Sequence, residues 1–433
     1  MANGWRGSNF DRDEIVIAEP LSENVKCVSL VEMLDFKRSE FEKRLHTEGL
    51  QVFNLVSKWP LERLDNSVTI IRGVTYEKTD QVLDVTDNII LTADNVTLGG
   101  ELEISKEVYL RSEVEIEEEK RLKKDDCFVC LSSGSREHVG KSALISAEVN
   151  GYAGGFMGIL RVLPEKMLPK YLHLVLNSAG VRRIMRAKAN GPNIKNLTNE
   201  IGEIKVPTPS VPEQKKLVAE CEKIDKKIAQ AKKDIETERA KIEGVINGVK
   251  GKGKVKLNSV SQYSEDRIPL DSIQGKDYIS TDNMLQKCEG VIPFEGVPKI
   301  DKVISYKKGD VLISNIRPYL QKIWQADRDA GCSPDVLVVR LKSGANVLPA
   351  YLYYLLKRKA FFDFVMAGNP KGLKMPRGDK NRVMQYEIPD IPLPEQQKLV
   401  AKIKASEDKI AALKQVIEAA KAARAKLVEN FLN

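Results

Sequence analysis

The run Gly134-Ser135-Arg136-Glu137-His138-Val139-Gly140-Lys141-Ser142 comes nearest to a chemical motif, a phosphate-binding loop closed by Lys-Ser. Such a loop needs four residues between its glycines, so that successive amides converge on the phosphates, and a helix after it. Here five residues intervene, and the segment after Ser142 reads as extended and turn-rich. Nucleotide hydrolysis is therefore set aside. Cys127-Phe128-Val129-Cys130 has the spacing of half a zinc site, but no second pair follows and the chain has only three histidines. On a strand these two thiols face opposite ways, so structural cysteine is the better reading. Asp335, ahead of a strand ending Arg340-Leu341-Lys342, hints at a nuclease core, yet Arg340 stands where a second acidic ligand belongs. No Asn/Asp-Pro-Pro-Tyr/Phe run and no glycine fingerprint for a nucleotide cofactor is present. The expectation is a non-catalytic chain that binds neither metal nor cofactor itself.

What remains is chemistry suited to reading DNA. Loops after paired strands carry Ser132, Ser133, Ser135, Arg136, His138 and Lys141, with Arg72 and Tyr76 upstream. A second set holds Asn315, Arg317, Tyr319 and Lys322, followed by Lys371, Lys374, Arg377 and Lys380 in a Gly-containing loop. Arg and Lys reach O6 and N7 of guanine, Asn pairs with adenine, and small hydroxyl residues let the backbone approach phosphate.

Two sets of loops require a scaffold that occurs twice, and the sequence repeats. Pro212-Glu213-Gln214-Lys215-Lys216-Leu217-Val218-Ala219 recurs as Pro394-Glu395-Gln396-Gln397-Lys398-Leu399-Val400-Ala401, an offset of 394 − 212 = 182. Upstream, Asn66-Ser67-Val68-Thr69 resembles Asn258-Ser259-Val260-Ser261, and Thr92-Ala93-Asp94-Asn95 resembles Ser280-Thr281-Asp282-Asn283. Lys123-Lys124-Asp125-Asp126 resembles Lys307-Lys308-Gly309-Asp310, and Leu168-Pro169-Lys170-Tyr171-Leu172 resembles Leu348-Pro349-Ala350-Tyr351-Leu352. Order is kept while loop lengths drift, as on a shared scaffold. Each copy ends in a long helical pattern. Leu217, Cys221, Ile224, Ile228, Ala231, Ile235 and Ile242 follow four-three spacing interrupted by Glu238; Leu399, Ile403, Ser406, Ile410, Leu413 and Ile417 follow it too. Such a narrow seam predicts two rods of ~54 Å pairing as an antiparallel coiled coil.

The fold class is therefore α+β. The expected divisions are an N-terminal extension (1–57), a first globular domain (58–206), a first long helix (207–248), a linker (249–256), a second domain (257–388) and a second long helix (389–433). Strands are predicted over 68–71, 127–131, 158–162, 311–316 and 336–341, and helices over 171–176 and 351–364. With 42% hydrophobic and 30% charged residues the chain reads as globular; its +8 charge permits nucleic-acid partners without requiring them. No apolar run suits a membrane span, and six cysteines without framework spacing suggest a reducing cytoplasm.

The repeated Pro-Glu-Gln-x-Lys-Leu-Val-Ala starts, together with Tyr278-Ile279-Ser280-Thr281-Asp282-Asn283-Met284, Gly309 to Tyr319 and Lys374-Met375-Pro376-Arg377-Gly378-Asp379-Lys380, resemble specificity subunits of type I restriction-modification systems. The resemblance covers Trp59 to the C-terminus; the extension before Trp59 departs from the family's short N-terminus. It implies two target-recognition domains, each reading half of a bipartite sequence in double-stranded DNA. The paired helices would hold two methyltransferase subunits, which bring S-adenosylmethionine, with a restriction/translocase subunit as an optional addition. Because the two sets of loops differ, an asymmetric target is expected. The competing expectation is a coiled-coil scaffold whose globular domains bind protein.

Overall fold

The computed structural model describes residues 55–189, 194–198, 200–296, 298, 300–367 and 375–433. The chain divides into two units, Met1–Lys223 with Ala423–Asn433, and Ile224–Ala422. Both mix helix and strand.

In the first unit a four-stranded antiparallel sheet runs β1 (Val68–Arg72), β4 (Met157–Val162), β2 (Cys127–Cys130), β3 (Ser142–Leu144) in spatial order. The apolar run Cys127–Cys130 is buried on both faces, so it occupies an inner position. Cys127 belongs to one core with Tyr171 and Leu172, and Cys130 to another with Ile71 and Ile159. The two thiols therefore lie on opposite sides of the sheet, and burial pushes that of Cys130 up to about 11. Helix α1 (Pro169–Leu176) opens with Pro at its first turn, where no amide donor is needed, and α2 (Ala179–Lys188) follows it.

The second unit repeats the sheet as β5 (Ser261–Tyr263), β8 (Val336–Leu341), β6 (Val311–Ser314), β7 (Ile323–Gln325). The expected single helix over 351–364 is two, Pro349–Leu356 and Lys359–Met366, because Arg358 adopts an extended backbone between them. No Gly or Pro marks that break.

Matching side chains build the same frame in each unit. Asp126 and Asp310 each accept a backbone amide (Lys123, Lys307) and a forked guanidinium (Arg161, Arg340), all with bonds as short as 2.8 Å. Asn95 and Asn283 cap their turns by accepting the amides of Thr92 and Ser280, at 2.9 and 2.7 Å. Gln214 accepts Leu168 N–H, and Gln396 accepts Leu348 N–H, both at 2.8 Å. Tyr171 and Tyr351 donate to the carbonyls of Pro207 and Pro389.

The long helices are α3 (Val211–Asn247) and α4 (Leu393–Leu432). They begin later than expected, because 205–207 and 387–390 are edge strands. In the first unit Leu217 and Cys221 share a core with Val428 and Leu432. In the second, Ala231 and Ile235 pack with Ile417, flanked by Ile228, Ile410 and Leu413; Ile246 shares a core with Ile403 and Leu399. Ile224 is half-buried on the same face. Within the second unit the paired numbers run in opposite directions. Glu238, which interrupts the apolar spacing, takes a seam position at 8% exposure and accepts Ser406 Oγ at 2.7 Å.

Hydrogen bonds from Lys241 and then Ser406 hold the Glu238 carboxyl below its ordinary pKa. A lowered folded value means that its contribution is complete above the unfolded value, about 4.3, and is lost as pH falls through the folded one. Denaturation midpoints of the protein and Glu238→Gln should therefore differ at pH 7 and draw together as pH falls below the unfolded value of about 4.3. A difference that persists unchanged into acid would refute the role.

Candidate nucleic-acid interface

In the first unit, glycines let two backbones meet beside the sheet. An added Cβ at Gly73 would lie 1.9 Å from Gly154 O, and Val74 N–H donates to Ala153 O at 2.7 Å. Leu131 and Ser132 both donate backbone N–H to Phe156 O, at 2.9 and 3.1 Å, so three chain segments converge. They enclose a cavity of about 310 Å³ lined by Tyr76, Asp94, Ser132, Ser133, Phe156 and Ile194, among others. Phe156 and Ile194 are exposed, leaving apolar surface beside hydroxyls and a carboxylate. Burial pushes the Tyr76 phenol up.

Of the expected contact residues, Tyr76, Ser132 and Ser133 meet at this cavity. Ser132 is nearly buried, and its strand pairs with Lys195–Asn196. Ser135 and Arg136 are exposed in the following loop, and His138 is half-buried there. Arg72 is exposed at the end of β1. The loop closes on Gly140 N–H to Cys130 O (2.8 Å) and runs into β3, so a strand follows it where a phosphate-binding loop would lead into a helix.

Lys141, unlike Ser135 and Arg136, lies inside the fold. It is 3% exposed, and burial lowers its pKa, with Arg182 acting in the same direction and Cys130 and Asp94 opposing. Its carbonyl accepts Cys130 N–H as the chain enters β3. Lys322 stands at the same place in the second unit: its carbonyl accepts Ser314 N–H and its ammonium donates to Thr281 O at 2.6 Å. Both carbonyls thus serve the frame, and the Lys322 ammonium braces it as well. The offset, 322 − 141 = 181, matches the repeat and could have revealed them.

In the second unit Asn315, Arg317 and Arg377 are brought together. Arg317 N–H donates to Pro376 O (2.8 Å), Gly378 N–H donates to Asn315 O (3.0 Å), and Arg377 lies 3.4 Å from Asp335. Asn315 is buried, and among the described residues its Oδ1 accepts no bond. A Cβ added at Gly378 would lie 2.9 Å from this oxygen. Tyr319 is 52% exposed on the short turn Pro318–Leu320. Lys380 is exposed at the start of a short helix capped by Asp379. Lys371 and Lys374 lie outside the described residues.

Phe156, Ile194 and Asp94 join the site without having stood out in the sequence as contacts. Only Asp94 had a local signal, through the Thr92–Asn95 repeat. Among the described residues no helix is long and apolar enough to cross a membrane.

Two curated relatives match the chain. The type I restriction enzyme StySPI specificity subunit of Salmonella potsdam is 24% identical over 307 residues, 68% of this chain and 64% of that protein. The chain is similar to type I restriction enzyme specificity subunits. The EcoKI specificity subunit of Escherichia coli K12 is 28% identical over 176 residues, 40% of this chain and 36% of its own length. The chain thus spans less than two thirds of the length of either relative. Among solved structures, the S subunit of a type I system from M. genitalium is 14% identical over 88% of this chain and 97% of that one, with TM-score 0.46. A second, described as concerning complex assembly and conformational transition of the type I R-M system, is 16% identical over 87% and 97%, with TM-score 0.49. No family model matches the chain.

Proposed function

We propose that this protein is a non-catalytic DNA-recognition subunit that reads a bipartite, asymmetric target and positions methyltransferase subunits on it. The carrying observation is one hydrogen-bonded frame used twice under unlike loops. Asp126–Arg161 and Asp310–Arg340 hold equivalent strands, while the loops 132–140 and 315–321 differ in length and sequence. A repeated scaffold presenting different side chains suits two different words. Arg72 and Arg136 in one unit, and Arg317, Tyr319, Arg377 and Lys380 in the other, would supply phosphate and base contacts. The long helices would pair as an antiparallel coiled coil, carry two methyltransferase subunits with their S-adenosylmethionine, and accept a restriction/translocase subunit where one exists. Such work belongs in the cytoplasm.

The test is to produce the full chain with a type I methyltransferase subunit in cells and map methylated adenines. A two-part motif with unlike halves is the expected result. A palindromic motif, or no sequence-selective methylation, would remove the proposal.

A further inference from the structure

All four non-Gly residues with left-handed backbone in the second unit, among the described residues, lie in two loops: Lys287 (φ 55) and Cys288 (φ 60), and Arg317 (φ 50) and Gln321 (φ 53). Side-chain-bearing residues hold this conformation only where their surroundings dictate it. The two loops lock together through the backbone. Lys287 N–H donates to Leu320 O and Cys288 N–H to Gln321 O, both at 2.9 Å. Left-handed Arg317 and Gln321 flank the turn that exposes Tyr319.

The next residue, Glu289, reaches the long helices. One carboxylate oxygen accepts Arg239 of α3 at 2.8 Å, and the other accepts Lys414 of α4 at 3.2 Å. A single side chain thus ties the loop beneath the Arg317–Gln321 turn to both helices at once. All three groups are roughly half-exposed, at 46%, 42% and 52%, so the pairs add little to global stability. Their directionality is another matter: two cations on two helices fix the carboxylate from two sides.

We infer that Glu289 is a positioning residue, which sets the Arg317–Gln321 reading turn against the helix pair so that Arg317 and Tyr319 meet DNA in one geometry. The inference rests on the proposed DNA-reading function for its purpose, but not for its mechanics. Glu289 touches no base; it acts through Lys287, Cys288 and the turn. Loss of the clamp leaves two loops, each with two unfavourable backbone conformations, free to relax.

Two measurements on the full chain test this. In Glu289→Ala, hydrogen exchange at the amides of Lys287 and Cys288 should quicken about tenfold, while the melting temperature moves by about 2 °C or less. Unchanged exchange would overturn the clamp, whatever the protein does with DNA. In methylation mapping with the methyltransferase subunit, Glu289→Ala should relax base preference in one half of the motif about tenfold and leave the other half intact. Combining Glu289→Lys with Arg239→Glu and Lys414→Glu should restore both exchange and preference. Faster exchange with both halves still read as before would overturn the positioning role. Absence of selective methylation by the unaltered chain would count against the proposed function, and the exchange result would still decide the clamp.

Discussion

Asp310→Ala should lower the stability of the second unit by about 3 kcal/mol, near the bottom of the range for unpairing a buried ion pair. The carboxylate is 6% exposed and accepts Lys307 N–H at 2.8 Å together with Arg340 Nη2 at 2.8 Å and Nε at 3.0 Å. Removing it strands an amide and a guanidinium that is itself only 19% exposed. Arg340 keeps weaker bonds to Asp266 (3.1 Å) and Ser305 O (3.4 Å), which is why the low end is expected. For a unit of this size the melting temperature should fall by roughly 6–12 °C. Asp126→Ala should cost the first unit a similar amount, because Arg161 grips it with the same fork at 2.8 Å. Adding Arg340→Met to Asp310→Ala should recover part of the loss, since the orphaned charge goes with it. Calorimetry of the three variants checks this. A shift under about 2 °C for both aspartates would mean that the repeated ion pair does not hold the frame.

Gly73→Ala should be comparably damaging, at about 3 kcal/mol, by a different route. The new methyl would sit 1.9 Å from Gly154 O and 2.8 Å from Ala153 O. These are backbone atoms, so no side-chain rotation relieves the overlap; the strand carrying Val74 must move away from Gly154. Tyr76 moves with it, and the cavity shared with Ser132 and Phe156 loses its wall. Denaturant unfolding should show the destabilisation, and any sequence-selective DNA binding that the proposed function requires of this unit should fall together with it. Gly134→Ala is the control, since nothing lies within 4 Å of its added Cβ. Equal behaviour of the two variants would mean that the close approach can relax.

The frame was legible in the sequence because its parts are side chains with narrow duties. Asn95, Asp126, Gln214 and Tyr171 satisfy particular backbone groups, and Asn283, Asp310, Gln396 and Tyr351 do the same, so each kept its type at both places. The helix seam was legible for a related reason: periodicity is local, and four-three spacing survives even at Glu238. What the sequence did not announce shares the opposite property. Burial of Lys141 and of Asn315 depends on the rest of the fold, Asn315 lying against Gly378 from 63 residues on, which a basic or amide-bearing loop does not announce. The break at Lys357–Arg358 lies in an apolar run without a helix-ending residue; it is stabilised from outside, where Arg358 donates to Ile246 O of α3. Glu289 pairs with Arg239, 50 residues before it, and Lys414, 125 after it, separations that no spacing argument reaches.

The polar contact between Glu238 and Ser406 has a consequence for how the long helices find each other. Apolar seams tolerate sliding, because one Ile or Leu accepts another's place. A shift of a single heptad would set the carboxylate against Leu399 or Leu413 in place of Ser406, with no hydroxyl to donate to it. An oxygen-to-oxygen handshake in an oily groove therefore acts as a key cut for a single alignment. Slipped pairings leave the carboxylate with Lys241 of its own helix but no donor from the other, and are disfavoured as the helices assemble.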